Sequence, residues 1–197
     1  MTREPIVADR AWQQDLRSAQ ALVLRPGGAF LAAFTEAQAA ARAAIGDRAR
    51  YPGCHVTIAN LAAGNRLIDL ETRARFWAAR TAPLRVVGTA VETFPDPFRV
   101  LHLQIQSAPA LRQAMSAARG AVKAAQLTDS AVVPVEEWTF HASIAYGDGI
   151  PADEWEQLTA PLRATLATPA VADVDDAEFV WFDESGERSL ALPLGGL

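Results

Sequence analysis

The chain holds three histidines, and two of them stand in near-copies of one short pattern, one in each half. Cys54-His55-Val56-Thr57-Ile58-Ala59 and Phe140-His141-Ala142-Ser143-Ile144-Ala145 are both apolar runs of strand character that carry a His-x-Thr/Ser triplet. Alternate residues of a strand share a face. His55 and Thr57 therefore point one way while Cys54, Val56 and Ile58 point the other, and His141 and Ser143 are parted from Phe140, Ala142 and Ile144 in the same manner. Each run presents an imidazole beside a hydroxyl on one face and an apolar surface on the other. A fold that takes this sequence has to bury both apolar faces and leave both polar ones wet.

The elements around the two runs repeat as well. Ala21 to Leu24 reads as a short strand stopped by Pro26-Gly27-Gly28, and Phe30, Phe34, Ala37, Ala41 and Ile45 then recur at helical spacing until Gly46. The first histidine strand, Cys54 to Asn60, is followed by a helix around Asp69 to Arg80 and by strands Leu84 to Thr93 and Arg99 to Gln106. The turn-rich link Phe94-Pro95-Asp96-Pro97-Phe98 makes those two strands a hairpin. In the second half Ser107 and Pro109 open a helix with Leu111, Met115, Ala118, Val122 and Ala125 on one face. A short strand at Ala131 to Val135 and the second histidine strand, Thr139 to Tyr146, come next. A helix capped by Asp153 follows, with Trp155, Leu158, Leu162 and Leu166 as its stripe and Pro161 kinking or splitting it. Ala177 to Asp183 and Glu187 to Leu192, around Glu184-Ser185-Gly186, form a second hairpin.

The order helix, histidine strand, helix, hairpin thus occurs twice, roughly over 29–106 and 107–193. It predicts one bilobal α+β domain over 1–197: two pseudo-symmetric lobes, each a mostly antiparallel sheet backed by helices, with the histidine strands central and facing each other across a groove. Half of the residues are apolar, enough for a core and for a chain that folds alone as a monomer.

Charge and cysteine content narrow the partners. With 18 basic against 23 acidic residues, net −5, the chain does not suit sequence-independent binding of long nucleic acid, which needs many cationic contacts to phosphates. A mononucleotide or a single RNA end remains suitable. The lone Cys54 makes no intramolecular disulfide, and no cysteine cluster points to zinc. Met1 to Gln20 is polar and charged, so neither a signal peptide nor a membrane span is expected, and the expected location is cytoplasmic.

Opening a strained cyclic phosphodiester needs a base for the nucleophile, an acid for the leaving oxygen, and donors to the non-bridging oxygens. Imidazoles titrate near neutrality and serve as either acid or base, and hydroxyls donate to phosphoryl oxygens. His55, Thr57, His141 and Ser143 form such a set, and it calls for no metal and no other cofactor. The plainer alternative is a pair of structural strand histidines. A metal site built from His55, His102 and His141 is a third reading, weakened because no Asp or Glu stands at ligand spacing beside them.

Other residues are candidates for substrate contact. His102, Gln104 and Gln106 share one face of their strand, which either lines the same groove or is simply solvated. Phe30, Tyr51, Trp138 and Tyr146 lie near the motifs and either stack on a base or pack in the core. Arg50, Arg66 and Arg99 would supply charge at a groove mouth, or are ordinary surface arginines.

At the level of the paired triplets and of the element order from Ala21 to Leu192, the chain resembles the 2H phosphoesterase superfamily. Its members include bacterial 2′-5′ RNA ligases, 2′,3′-cyclic nucleotide phosphodiesterases and ADP-ribose cyclic phosphodiesterases. The resemblance implies that His55 and Thr57 take the first motif's roles and His141 and Ser143 the second's. It also implies hydrolysis of a 2′,3′-cyclic phosphate, on a nucleotide or an RNA end, to a 2′-phosphomonoester. The reverse joining to a 5′-hydroxyl is the alternative activity, and a non-catalytic module that binds nucleotides or RNA ends is the alternative of another class. Two positions depart from the family pattern: Tyr146 stands where many RNA ligase-like relatives carry Arg, and Asn60 where the first motif often carries Phe.

Overall fold

The computed structural model describes residues 4–61, 66–127 and 133–195. Eight strands are found there: β1 Gln20–Leu24, β2 Val56–Leu61, β3 Leu84–Thr93, β4 Val100–Ile105, β5 His141–Tyr146, β6 Ala164–Val174, β7 Asp176–Asp183 and β8 Gly186–Pro193. Five α-helices accompany them: α1 Arg10–Asp15, α2 Gly28–Ile45, α3 Leu67–Arg80, α4 Pro109–Ala124 and α5 Ala152–Thr159. None of the described helices is long and apolar enough to cross a membrane.

The strands form two four-stranded antiparallel sheets, in the orders β2-β1-β7-β8 and β5-β4-β3-β6. The expected α+β class with two sheets backed by helices is what the chain adopts. The lobes, however, do not coincide with the sequence halves. The hairpin β3–β4 of the first half pairs with the second histidine strand, and the hairpin β7–β8 of the second half joins the sheet of the first. Helices cross in a similar way: α2, which links β1 to β2, packs on β3, β5 and β6, while α4, which links β4 to β5, packs on both β2 and β3. Within their sheets the histidine strands are edges rather than central strands, and these two edges meet at the middle of the molecule.

Several local expectations change. The lead-in before Gln20 holds α1, with the Asp9 carboxylate accepting from the Trp12 N–H at 3.0 Å. Residues 133–135 are not a strand: Val135 begins a single 3₁₀ turn, Val135–Glu137, while 131 and 132 lie outside the described residues. The helix over 153–166 ends at Thr159, because Pro161 forces a 3₁₀ turn at Ala160–Leu162. Its cap is Pro151, with Asp153 in the first turn, and Leu166 belongs to β6. That edge strand is built largely of Ala and Thr and carries Pro169, tolerated where its pairing with β3 shifts register between Gly88 and Ala90.

The main core lies between the sheets and their helices. Trp77 of α3 donates from Nε1 to the Ala114 carbonyl of α4 at 2.9 Å, and Gln38 of α2 donates from Nε2 to the Pro52 and Ile144 carbonyls at 2.8 and 3.1 Å. Phe30 is fully buried, its ring against Gly88, where a Cβ would lie 3.2 Å from Phe30 Cε2. Core burial of this ring predicts that Phe30→Ala destabilises the fold by about 3–5 kcal/mol, read as a lower denaturation midpoint in urea.

Candidate active site

One extra residue in each histidine strand shapes the site. In the β1–β2 ladder Val23 stands opposite Thr57 and Leu22 opposite Ala59, so Ile58 is unpaired. In the β4–β5 ladder His102 stands opposite Ser143 and Leu101 opposite Ala145, so Ile144 is unpaired. These are β-bulges at equivalent places, each immediately after the motif hydroxyl, and both isoleucines are fully buried. In a regular strand a residue five after another faces the opposite side. The inserted residue restores the parity, so Asn60 lines the same cavity as His55 and Thr57, and Tyr146 the same cavity as His141 and Ser143.

That cavity, about 490 Å³, holds both motifs together. His55 donates from Nδ1 to the Gly53 carbonyl at 2.8 Å, and His141 from Nδ1 to the Thr139 carbonyl at 2.8 Å. A carbonyl only accepts, so both rings are the Nδ1–H tautomer, and Nε2 of each is left as a proton acceptor. The backbones of the two lobes also join nearby, where Arg50 and Tyr146 exchange N–H···O bonds of 2.9 and 2.8 Å.

Burial lowers the pKa of both motif imidazoles. It pushes His55 from its ordinary 6.5 down to about 4, opposed by the Gly53 bond and helped by Arg25 and by a charged His141. Burial also lowers His141, against the Thr139 bond. Arg25 was not legible as a site residue, yet one residue beyond β1 the register that pairs Val23 with Thr57 carries it opposite His55. Its side chain is only 10% exposed and faces Glu178 at 3.8 Å. Cys54 is no nucleophile, because burial pushes its thiol up to about 12.

On the second motif the Tyr146 hydroxyl donates to Ser143 Oγ at 2.8 Å. Burial raises the phenol pKa, so it stays protonated as a donor. Ser143 Oγ therefore has an acceptor site filled and its own proton free for a third oxygen. The tyrosine occupies the place of a missing arginine with a neutral donor.

The remaining candidates divide. Trp138 lines the cavity, its ring 6.3 Å from that of His141, and Arg99 lines it too. His102 does not line it: the residue is 3% exposed, its ring stacked on Phe94 at 4.2 Å and 5.5 Å from the His141 ring. Gln104 is exposed and away from the cavity. Phe30 is sealed in the core and cannot stack on a base. Tyr51 borders a second cavity, with its hydroxyl on the Gly46 carbonyl at 2.8 Å and Arg42 over its ring at 4.1 Å. Arg50 pairs with Asp15 at 3.1 Å and Arg66 with Asp69 at 3.4 Å. Among the described residues no three His, Cys, Asp or Glu side chains cluster as metal ligands.

The model of the 2′-5′ RNA ligase superfamily matches residues 28–186. Among solved structures, TT0787 of Thermus thermophilus is similar at a TM-score of 0.65 and 18% identity, over 90% of this chain and 98% of that one. Escherichia coli LigT complexed with 3′-AMP is similar at 0.59 and 13%, over 89% and 95%. Usb1 of Kluyveromyces marxianus is similar at 0.52 and 13%, over 91% and 100%. No curated protein matches the chain.

The lowered histidines make stability pH-dependent in a definite direction. In the unfolded chain each titrates near 6.5, whereas the folded protein holds His55 and His102 neutral down to about 4. Between those values the unfolded state binds more protons, so stability is full above 6.5 and is lost as the pH falls toward 4. Thermal midpoints measured across that range should drop, and the drop should be shallower in His102→Asn.

Proposed function

The chain belongs to the 2′-5′ RNA ligase superfamily, the 2H phosphoesterases, and from that premise we propose that it hydrolyses 2′,3′-cyclic phosphates of nucleotides or RNA ends to the 2′-phosphomonoester without a metal. The observation that carries this reading is the matched pair of Nδ1–H imidazoles, each beside a hydroxyl, lining one cavity. Water attacks phosphorus as one Nε2 takes its proton, and the bond from phosphorus to the ribose 3′-oxygen breaks as the other histidine, protonated, returns a proton to that oxygen. Thr57 and Ser143 donate to the non-bridging oxygens, where charge concentrates in the transition state. The complex of Escherichia coli LigT with 3′-AMP supports a nucleotide as the substrate class. With a ribose 5′-hydroxyl in place of water the same steps form a 2′-5′ bond, which the family description favours as the second activity.

His55→Ala and His141→Ala should each lower kcat on 2′,3′-cyclic mononucleotides by about 10²–10⁴ with unchanged circular dichroism, and EDTA should leave turnover intact. Nucleotide binding without any product would instead mark a binding module. Because a neutral base and a protonated acid are both required, kcat/KM should be bell-shaped. Burial lowers both histidines, so both limbs lie below the ordinary 6.5, and one of them lies near the His55 value of about 4. A pH–rate profile of the free enzyme checks the position of both limbs.

A further inference from the structure

The match to the family begins at residue 28, yet the cavity is also walled by residues 6–19. Ile6 and Val7 are buried against Val23, Val180 and Phe182, a second small core that covers the cavity-facing side of β1 and β7, with Trp12 and Leu16 packed on it. This strap is built in. The Glu187 carboxylate accepts from the Ile6 and Val7 N–H groups at 2.8 and 2.9 Å, and Gln13 Nε2 donates to the Val7 carbonyl at 2.6 Å. Gly53 N–H donates to the Ile6 carbonyl at 2.6 Å, and a Cβ at Gly53 would meet the Pro5 carbonyl oxygen at 2.8 Å. The strap therefore grips the very residue whose carbonyl fixes the His55 tautomer.

Its other end reaches the second motif. Trp12 stands edge-on to Tyr146, ring centroids 5.6 Å apart at 71°, and Tyr146 is the residue that orients Ser143. Arg50 lies over the Trp12 ring at 5.6 Å while pairing with Asp15 of the same helix, so the indole is held before any ligand arrives. Gln20 also lines the cavity, with Oε1 buried and unpartnered. An apolar wall ending in a fixed indole, one side chain from the phosphoryl-holding hydroxyl, in a cavity that also holds an open amide acceptor, suits a flat heteroaromatic ring that carries an N–H donor. The other cavity aromatics are less suited: Tyr146 is engaged with Ser143, Phe182 packs in the small core, Trp138 already faces His141, and Phe98 is 64% exposed at the rim.

We propose that residues 6–19 form the base-binding wall of the active site, with Trp12 the residue on which the substrate's nucleobase stacks and Gln20 an acceptor for its exocyclic N–H. The inference rests on the nucleotide reading above and deepens it. Phosphoryl contacts come from the two motifs, and preference for a nucleoside ester over a bare phosphate comes from the strap.

Calorimetric titration with adenosine 2′-monophosphate and with inorganic phosphate, alongside turnover of 2′,3′-cyclic AMP, tests it. Wild type should bind the nucleotide more tightly than phosphate. Trp12→Ala should bind the nucleotide about tenfold more weakly while its phosphate affinity stays unchanged, and Trp12→Phe should recover most of the loss. Equal loss for both ligands, no loss for the nucleotide, or no nucleotide preference in wild type would overturn the proposal. Absence of turnover with the Trp12-dependent preference intact would count against the hydrolytic reading alone and leave the wall standing.

Discussion

The geometry of the cavity depends on a single inserted residue in each histidine strand. Ile58 and Ile144 fall out of their ladders at equivalent places, and each is anchored by complete burial. Without the bulge, His55 and Asn60 would face opposite sides of the sheet, as would His141 and Tyr146. With it, three residues of each motif share the cavity, and Tyr146 comes within hydrogen-bond reach of Ser143. A bulge also increases local twist, which suits an edge strand that has to turn toward its counterpart rather than extend its sheet.

The exchange of hairpins makes this placement robust. Each sheet takes two strands from either half of the chain, α2 packs on the sheet opposite the one it links, and α4 bridges both sheets through β2 and β3. Neither half can then bury its apolar surface alone, so the seam carrying the two motifs forms only when the whole chain folds. The pseudo-symmetry is incomplete where it matters chemically. His55 has buried Arg25 beside it, whereas His141 sits against Phe94, His102 and Trp138. Distinct surroundings are what two like groups need in order to take different proton-transfer roles.

The two motifs are legible in the sequence because period-two alternation and a repeated triplet need no tertiary information. Their bulges are harder to see, although a signal exists: Ile58-Ala59 and Ile144-Ala145 place two apolar residues in succession where alternation calls for one. β6 is hidden because an Ala- and Thr-rich edge strand containing Pro169 has little apolar contrast, and Leu162 and Leu166 continue a helical spacing by coincidence. The strap is hidden because its apolar residues, Ile6, Val7, Trp12 and Leu16, are diluted among polar ones, and its hold comes from Glu187 far along the sequence. Phe30 and Gln104 are plausible by proximity in sequence, but helix α2 turns one into the core and the sheet turns the other to solvent.

Function on this account requires two imidazoles, each holding its Nδ1–H on the carbonyl two residues before it, to turn both Nε2 atoms into one cavity, one to take up a proton and the other to deliver one. Nitrogen-15 NMR of histidine-labelled protein at neutral pH measures this directly. His55 and His141 should each show a protonated Nδ1 and a bare Nε2, and both Nε2 signals should shift when a nucleoside 2′-monophosphate is added. A bare Nδ1 on either ring, or a response from only one of them, would contradict it.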